Sequence, residues 1–105
     1  MEREDEVELS ARTLERLQAV FAPSDRAEAE IALARDCARN LPFFDEATPE
    51  SLERVRFAAL KLSEGKLDKL REAVGVAQVD WRDVLVAAGF GDSIDAHMEW
   101  WPDVG

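Results

Sequence analysis

Residues 80–90, with the sequence DWRDVLVAAGF, carry both a start and a stop signal for one short helix. Asp80 is a typical N-cap, because its carboxylate accepts hydrogen bonds from the free N–H groups of the first turn. Gly89 suits the left-handed position after the last turn, and Phe90 stands where a Schellman cap makes its apolar contact. Few polar residues follow the first turn, which is typical of a helix at the centre of its domain. The sequence therefore predicts that 80–90 is the central buried helix.

The rest of the chain also indicates helices. Apolar residues recur at spacings of three, four and seven, the pattern of an amphipathic helix. The clearest start is Thr48-Pro49-Glu50, which offers an N-cap threonine and a proline at the first helical position. Gly65 and Gly75 are predicted to end the third and fourth helices. The predicted helices, besides 80–90, cover residues 4–22, 24–40, 49–64, 66–74 and 94–101.

No segment alternates apolar and polar residues in the way that a half-buried strand does. At 105 residues the chain is long enough for one hydrophobic core. We therefore predict an all-α fold without a sheet, a compact bundle of five or six short helices. Residues 1–105 form one helical domain, of which residues 1–5 are expected to fray.

Composition limits the cellular setting. No apolar run approaches the ~20 residues that cross a bilayer, and the acidic N-terminus lacks the apolar core of a signal peptide. A single cysteine, Cys37, excludes a disulfide within the chain and fits a reducing compartment. We predict a cytoplasmic protein that does not bind membranes.

The charge distribution leaves one alternative open. A net charge of −10 repels the phosphates of nucleic acids. Residues 54–71 nevertheless form a basic island, and a helix, a turn at Gly75-Val76 and a second helix bearing Arg82 would resemble a helix-turn-helix. Asp80 and Asp83 at the start of that second helix would meet phosphate, which argues against DNA binding. The basic island consists of Arg54, Arg56, Lys61, Lys66, Lys69 and Arg71.

No catalytic motif is present, so we predict a protein that is not an enzyme. His97 has no carboxylate at a helical spacing that would orient it, and nothing in the sequence brings Cys37 close to it. An enzyme using Cys37 or His97 is the least favoured alternative. Asp92, Asp95 and Glu99 share a helix face but lack the loop ligands of a metal site, so no metal or cofactor is predicted.

Binding to another protein is the leading hypothesis. The first helix has an apolar stripe that would suit a helix–helix seam, and tryptophan is enriched at binding hot spots. We expect a protein partner or self-association, with a two-fold homodimer as the default form. The candidate interface residues are Val7, Leu14, Leu17, Phe21, Trp100 and Trp101.

The sequence RFAALK at 56–61, followed by DWRD at 80–83, AAGF at 87–90, His97 and Trp100, resembles small bacterial helical proteins of unknown function. The resemblance covers roughly the second half of the chain. It implies a bacterial cytoplasmic protein, and it implies no activity and no functional residues.

Overall fold

The computed structural model describes residues 8–37, 49–90 and Trp100. It contains the helices α1 (Ala11–Val20), α2 (Arg26–Ile31), α3 (Pro49–Ser63) and α4 (Leu67–Ala88). These residues form no strand, so the predicted all-α class is confirmed for the part of the chain that is described. The Cα radius of gyration is 12.4 Å, close to the roughly 13 Å of a compact domain of about 100 residues. The described residues contain four α-helices, so the predicted number of five or six is not confirmed, and nearly all of the predicted helix at 94–101 lies outside these residues.

Both ends of α1 are held by side-chain hydrogen bonds. Ser10 is the N-cap, and its hydroxyl accepts from the backbone N–H of Thr13 at 3.2 Å. At the other end, the Arg26 guanidinium donates to the carbonyl oxygens of Gln18 at 2.8 Å and Phe21 at 3.1 Å. Arg26 thus satisfies carbonyl groups that the last turn of a helix leaves free.

The helix α2 continues into a π-helical segment, Ala32–Asp36, which the sequence does not signal. Such segments are rare, and they alter the direction of the backbone groups that follow. Here the carbonyl oxygens at its end are bonded to other helices. Gln78 of α4 donates to the Asp36 oxygen at 2.9 Å, and Arg56 of α3 donates to the Cys37 oxygen at 3.0 Å.

The most buried helix is α3, which begins at Pro49 as the cap signals predict. All six residues of 55–60 are buried, including the charged Arg56. This helix is buried because both α1 and α4 pack against it. Residues 80–90 contain no such continuous buried run, so the central position predicted for them is not confirmed.

The predicted helix end at Gly75 is wrong, because α4 continues through it. A glycine within a helix costs only about 1 kcal/mol relative to alanine. The buried side chains of Leu70, Val74 and Ala77 outweigh that cost. The helix is interrupted instead at Asp80, where φ is −150° and ψ is 97°.

The cap signals around residues 80–90 are confirmed. The Asp80 carboxylate accepts from the backbone N–H of Arg82 at 3.1 Å, which restarts the helix after the kink. Gly89 has φ +82°, and the N–H of Phe90 donates to the carbonyl of Leu85 at 2.8 Å. In the part of α4 after the kink, only one side is buried. Val84, Leu85 and Ala88 are buried there, whereas Val86 and Ala87 are exposed.

Candidate functional site

A groove of about 300 Å³ is formed by residues on both sides of the kink in α4 and by the end of α3. Its polar rim consists of Lys69, Glu72 and Asp83. The aliphatic residues that line the groove are Leu62, Ala73, Val76, Val84 and Ala87.

Exposed valines lie in and beside the groove. Val76 is 41% exposed within it, and Val79 and Val86 are 84% and 69% exposed. Val79 follows Val76 by three residues and Val86 follows Asp83 by three, so each lies next to a groove residue on the helix surface. We call the groove together with Val79 and Val86 the groove face. Contiguous apolar surface with a polar rim is typical of interaction sites.

The rim of the groove face is electrostatically uneven. The Lys69 ammonium lies 3.0 Å from the Glu64 carboxylate, and its hydrogen bond and charge hold the pKa of Glu64 below the usual range. Among the described residues, Glu72 and Asp83 form no ion pair. The positive charge of the rim is therefore already paired, whereas its two negative charges face solvent.

The interface predicted on the first helix is used within the chain. Leu17 and Phe21 are fully buried in the core, and Leu14 is half-buried against it. The helix α1 packs against α3 and α2 within the chain, so these side chains serve the chain's own core, and a partner interface at these residues stays a prediction. Val7 and Trp101 lie outside the described residues.

Trp100 also contacts its own chain. Its ring centroid lies 6.2 Å from those of Phe57 and Phe90, and the Arg16 guanidinium donates to its carbonyl oxygen at 3.0 Å. Arg16 in turn lies over the Phe57 ring at 4.5 Å, and burial lowers the pKa of Arg16. Trp100 is half-buried, and its contacts are those of a core residue rather than of a free hot spot.

Cys37 has the opposite surroundings to those of a reactive thiol. It is fully buried, and burial raises the pKa of its thiol to about 12, although the Arg56 charge acts against this rise. Reactive cysteines are partly exposed and have a lowered pKa. The enzyme alternative requires His97 to lie close to Cys37. Because His97 lies outside the described residues, this alternative stays a hypothesis.

The thiol of Cys37 is expected to be protected in the folded protein. A pKa raised from 9.0 to about 12 reduces the thiolate fraction at pH 8 about a thousandfold, and the thiolate is the reactive form. We expect a disulfide reagent to modify the native protein at least about a hundredfold more slowly than the protein in urea, because reaction requires opening of the structure. Absorbance of the released thiolate measures the rate. Rapid modification of the native protein would contradict the buried position.

The basic island is partly used to hold the fold together. Arg56 is buried, and Arg54 donates to the carbonyl oxygen of Phe90. Lys69 pairs with Glu64, and Arg71 pairs with Glu28 at 3.0 Å. The turn predicted at Gly75-Val76 is helix, so the helix-turn-helix arrangement is absent. Nucleic-acid binding through 54–86 stays a prediction, without the turn that suggested it.

No group of three or more His, Cys, Asp or Glu residues that could hold a metal occurs within the described residues. The acidic row Asp92, Asp95 and Glu99 lies outside them. The described helices include none that is long and apolar enough to cross a membrane.

Comparison with known proteins returns no match among protein-family models, curated proteins or solved structures. The groove face is therefore interpreted from its own geometry.

Proposed function

We propose that this protein is a non-enzymatic protein–protein interaction module whose contact surface is the groove face. The observation that carries the proposal is an aliphatic groove lined in part by the exposed Val76, on a helix that also exposes Val79 and Val86 to 84% and 69%. Single exposed aliphatic residues are common on protein surfaces, whereas clustered apolar surface with a polar rim is typical of interaction sites and supports the proposal.

The construction of the groove face favours a macromolecular partner. Its residues lie on two packed helices, so little conformational entropy is lost when a partner binds. Its aliphatic lining provides the apolar centre of an interface, and its carboxylates provide a polar rim. The partner is either a different protein or a second copy of the chain, with two-fold symmetry in the second case.

The proposal is tested with the double variant Val79→Gln/Val86→Gln. Both side chains are largely exposed, and glutamine favours helix, so we expect the stability to stay within about 0.5 kcal/mol of the wild type. Binding to the partner, or self-association, should weaken about tenfold or more, because two apolar contacts of the interface are lost. Affinity purification from the native lysate identifies the partner. Titration with that purified partner and sedimentation of the protein alone then measure the two forms of binding.

Ile31→Gln is the matched control. Ile31 is also an exposed aliphatic residue, at 48%, but it lies on α2 and does not line the groove. The proposal requires that the control binds like the wild type while the double variant does not. Equal binding by all three proteins would place the interface elsewhere, and a monomer that retains no partner would contradict the proposal as a whole.

A further inference from the structure

The shape of the groove limits the ligand that can fill it. On one side of the kink the groove is lined from Lys69 to Val76, and on the other from Asp83 to Ala87. At 1.5 Å per residue, the longer of these runs is about 10 Å, or about two turns of helix. The groove therefore accommodates a few side chains of a segment that lies along α4.

A helical segment fits this surface better than an extended one. An extended peptide gains much of its affinity from main-chain hydrogen bonds with the edge of a sheet. The described part of the chain contains no strand, and the main chain of α4 is bonded within the helix. An amphipathic helix instead places aliphatic side chains at positions i, i+3, i+4 and i+7 into an apolar groove.

The charged residues of the rim favour a partner segment of positive charge. Glu72 and Asp83 face solvent without an ion pair among the described residues, whereas Lys69 is paired with Glu64. The whole chain has a net charge of −10. A second copy would bring like charges together, and an acidic segment would be repelled, but lysine or arginine beside the aliphatic contacts would complement the rim.

We infer that the groove face binds an amphipathic helix of a partner protein that carries basic residues beside its aliphatic face. The inference rests on the proposed function and specifies the chemistry of the partner. Aliphatic side chains of the segment enter the groove between Leu62 and Val84, and its basic side chains reach Glu72 and Asp83.

The test uses three synthetic helical peptides of about 18 residues, each with the same leucine face. Their polar faces carry lysine, glutamine or glutamate. We expect the lysine peptide to bind most tightly, the glutamine peptide more weakly and the glutamate peptide not measurably. Two-dimensional NMR of the full-length protein should show that the lysine peptide shifts the methyl signals of Ala73, Val76, Val84 and Ala87.

Two variants separate the local charge from the net charge. Glu72→Gln/Asp83→Asn should weaken binding of the lysine peptide about threefold to tenfold, since each exposed charge pair contributes modestly. Glu15→Gln/Glu30→Gln changes the net charge equally at exposed positions on α1 and α2 and should leave the affinity unchanged. The affinity for the glutamine peptide should change little in either variant.

Each outcome has one meaning. Equal binding of the lysine and glutamate peptides, equal effects of the two variants, or unshifted groove signals would overturn the inferred chemistry. If a lysate partner is lost in Val79→Gln/Val86→Gln while no lysine peptide binds, the inference is wrong and the proposed function stands. If neither the partner nor any peptide depends on the groove face, both are wrong.

Discussion

Replacing Arg56 with alanine is expected to lower the free energy of unfolding by about 3–5 kcal/mol. The side chain is only 2% exposed and donates to the carbonyl oxygens of Cys37 at 3.0 Å and Glu8 at 3.2 Å. Alanine would leave both acceptors without these bonds and would create a cavity beside α3. Burial lowers the pKa of Arg56 to about 10, so the guanidinium still donates as a cation at neutral pH.

Urea unfolding followed by tryptophan fluorescence measures this loss. Arg71→Ala is the matched control, because Arg71 is an exposed arginine whose ion pair with Glu28 lies at the surface. Exposed pairs contribute at most about 1 kcal/mol, so the control should unfold close to the wild type. A similar loss of unfolding free energy in both variants would contradict the stabilising role of the buried hydrogen bonds of Arg56.

Replacing Gly65 with alanine is expected to lower the free energy of unfolding by about 2–4 kcal/mol. Gly65 has φ +81°, which is unfavourable for other residues, and a Cβ there would lie 2.8 Å from the carbonyl oxygen of Val20. The backbone of the turn between α3 and α4 must therefore shift. Because Leu62 lies three residues earlier, we also expect weaker binding at the groove.

Gly75→Ala provides a control with the same chemical change. Gly75 lies within α4, and a Cβ there would meet no atom within 4 Å. We expect this variant to be more stable than the wild type by about 0.5–1 kcal/mol, because alanine favours helix. Urea unfolding of the two variants gives the comparison. Loss of stability at Gly75, or none at Gly65, would contradict the turn and helix assignments.

The sequence predicts the features that local chemistry determines. Pro49 begins α3, Asp80 caps the restart of α4, and Gly89 with Phe90 closes it, as the residues indicate. Each of these signals acts between residues a few positions apart. The helix end expected at Gly75 is wrong, because burial of the neighbouring side chains of α4 outweighs the small cost of a glycine within a helix.

Features that depend on packing could not be predicted in this way. Arg56 belongs to a basic stretch of the sequence, and it is a buried donor because the carbonyl oxygens of Glu8, before α1, and Cys37, after the π-helical segment, lie within hydrogen-bond distance. The groove depends on the packing of α4 against the end of α3, which no spacing in the sequence encodes. One signal was available, since Val76, Val79 and Val86 are apolar residues outside the buried stripe of α4.

The arginine hydrogen bonds to the main chain have a consequence for sequence divergence. Arg16, Arg26, Arg54 and Arg56 all donate to carbonyl oxygens of the backbone, which every amino acid possesses. The residue at an acceptor position can therefore change while the bond persists, whereas a donor position needs a long side chain that carries N–H groups. Substitutions at the four arginines are therefore expected to cost more stability than substitutions at the residues whose carbonyl oxygens they bind.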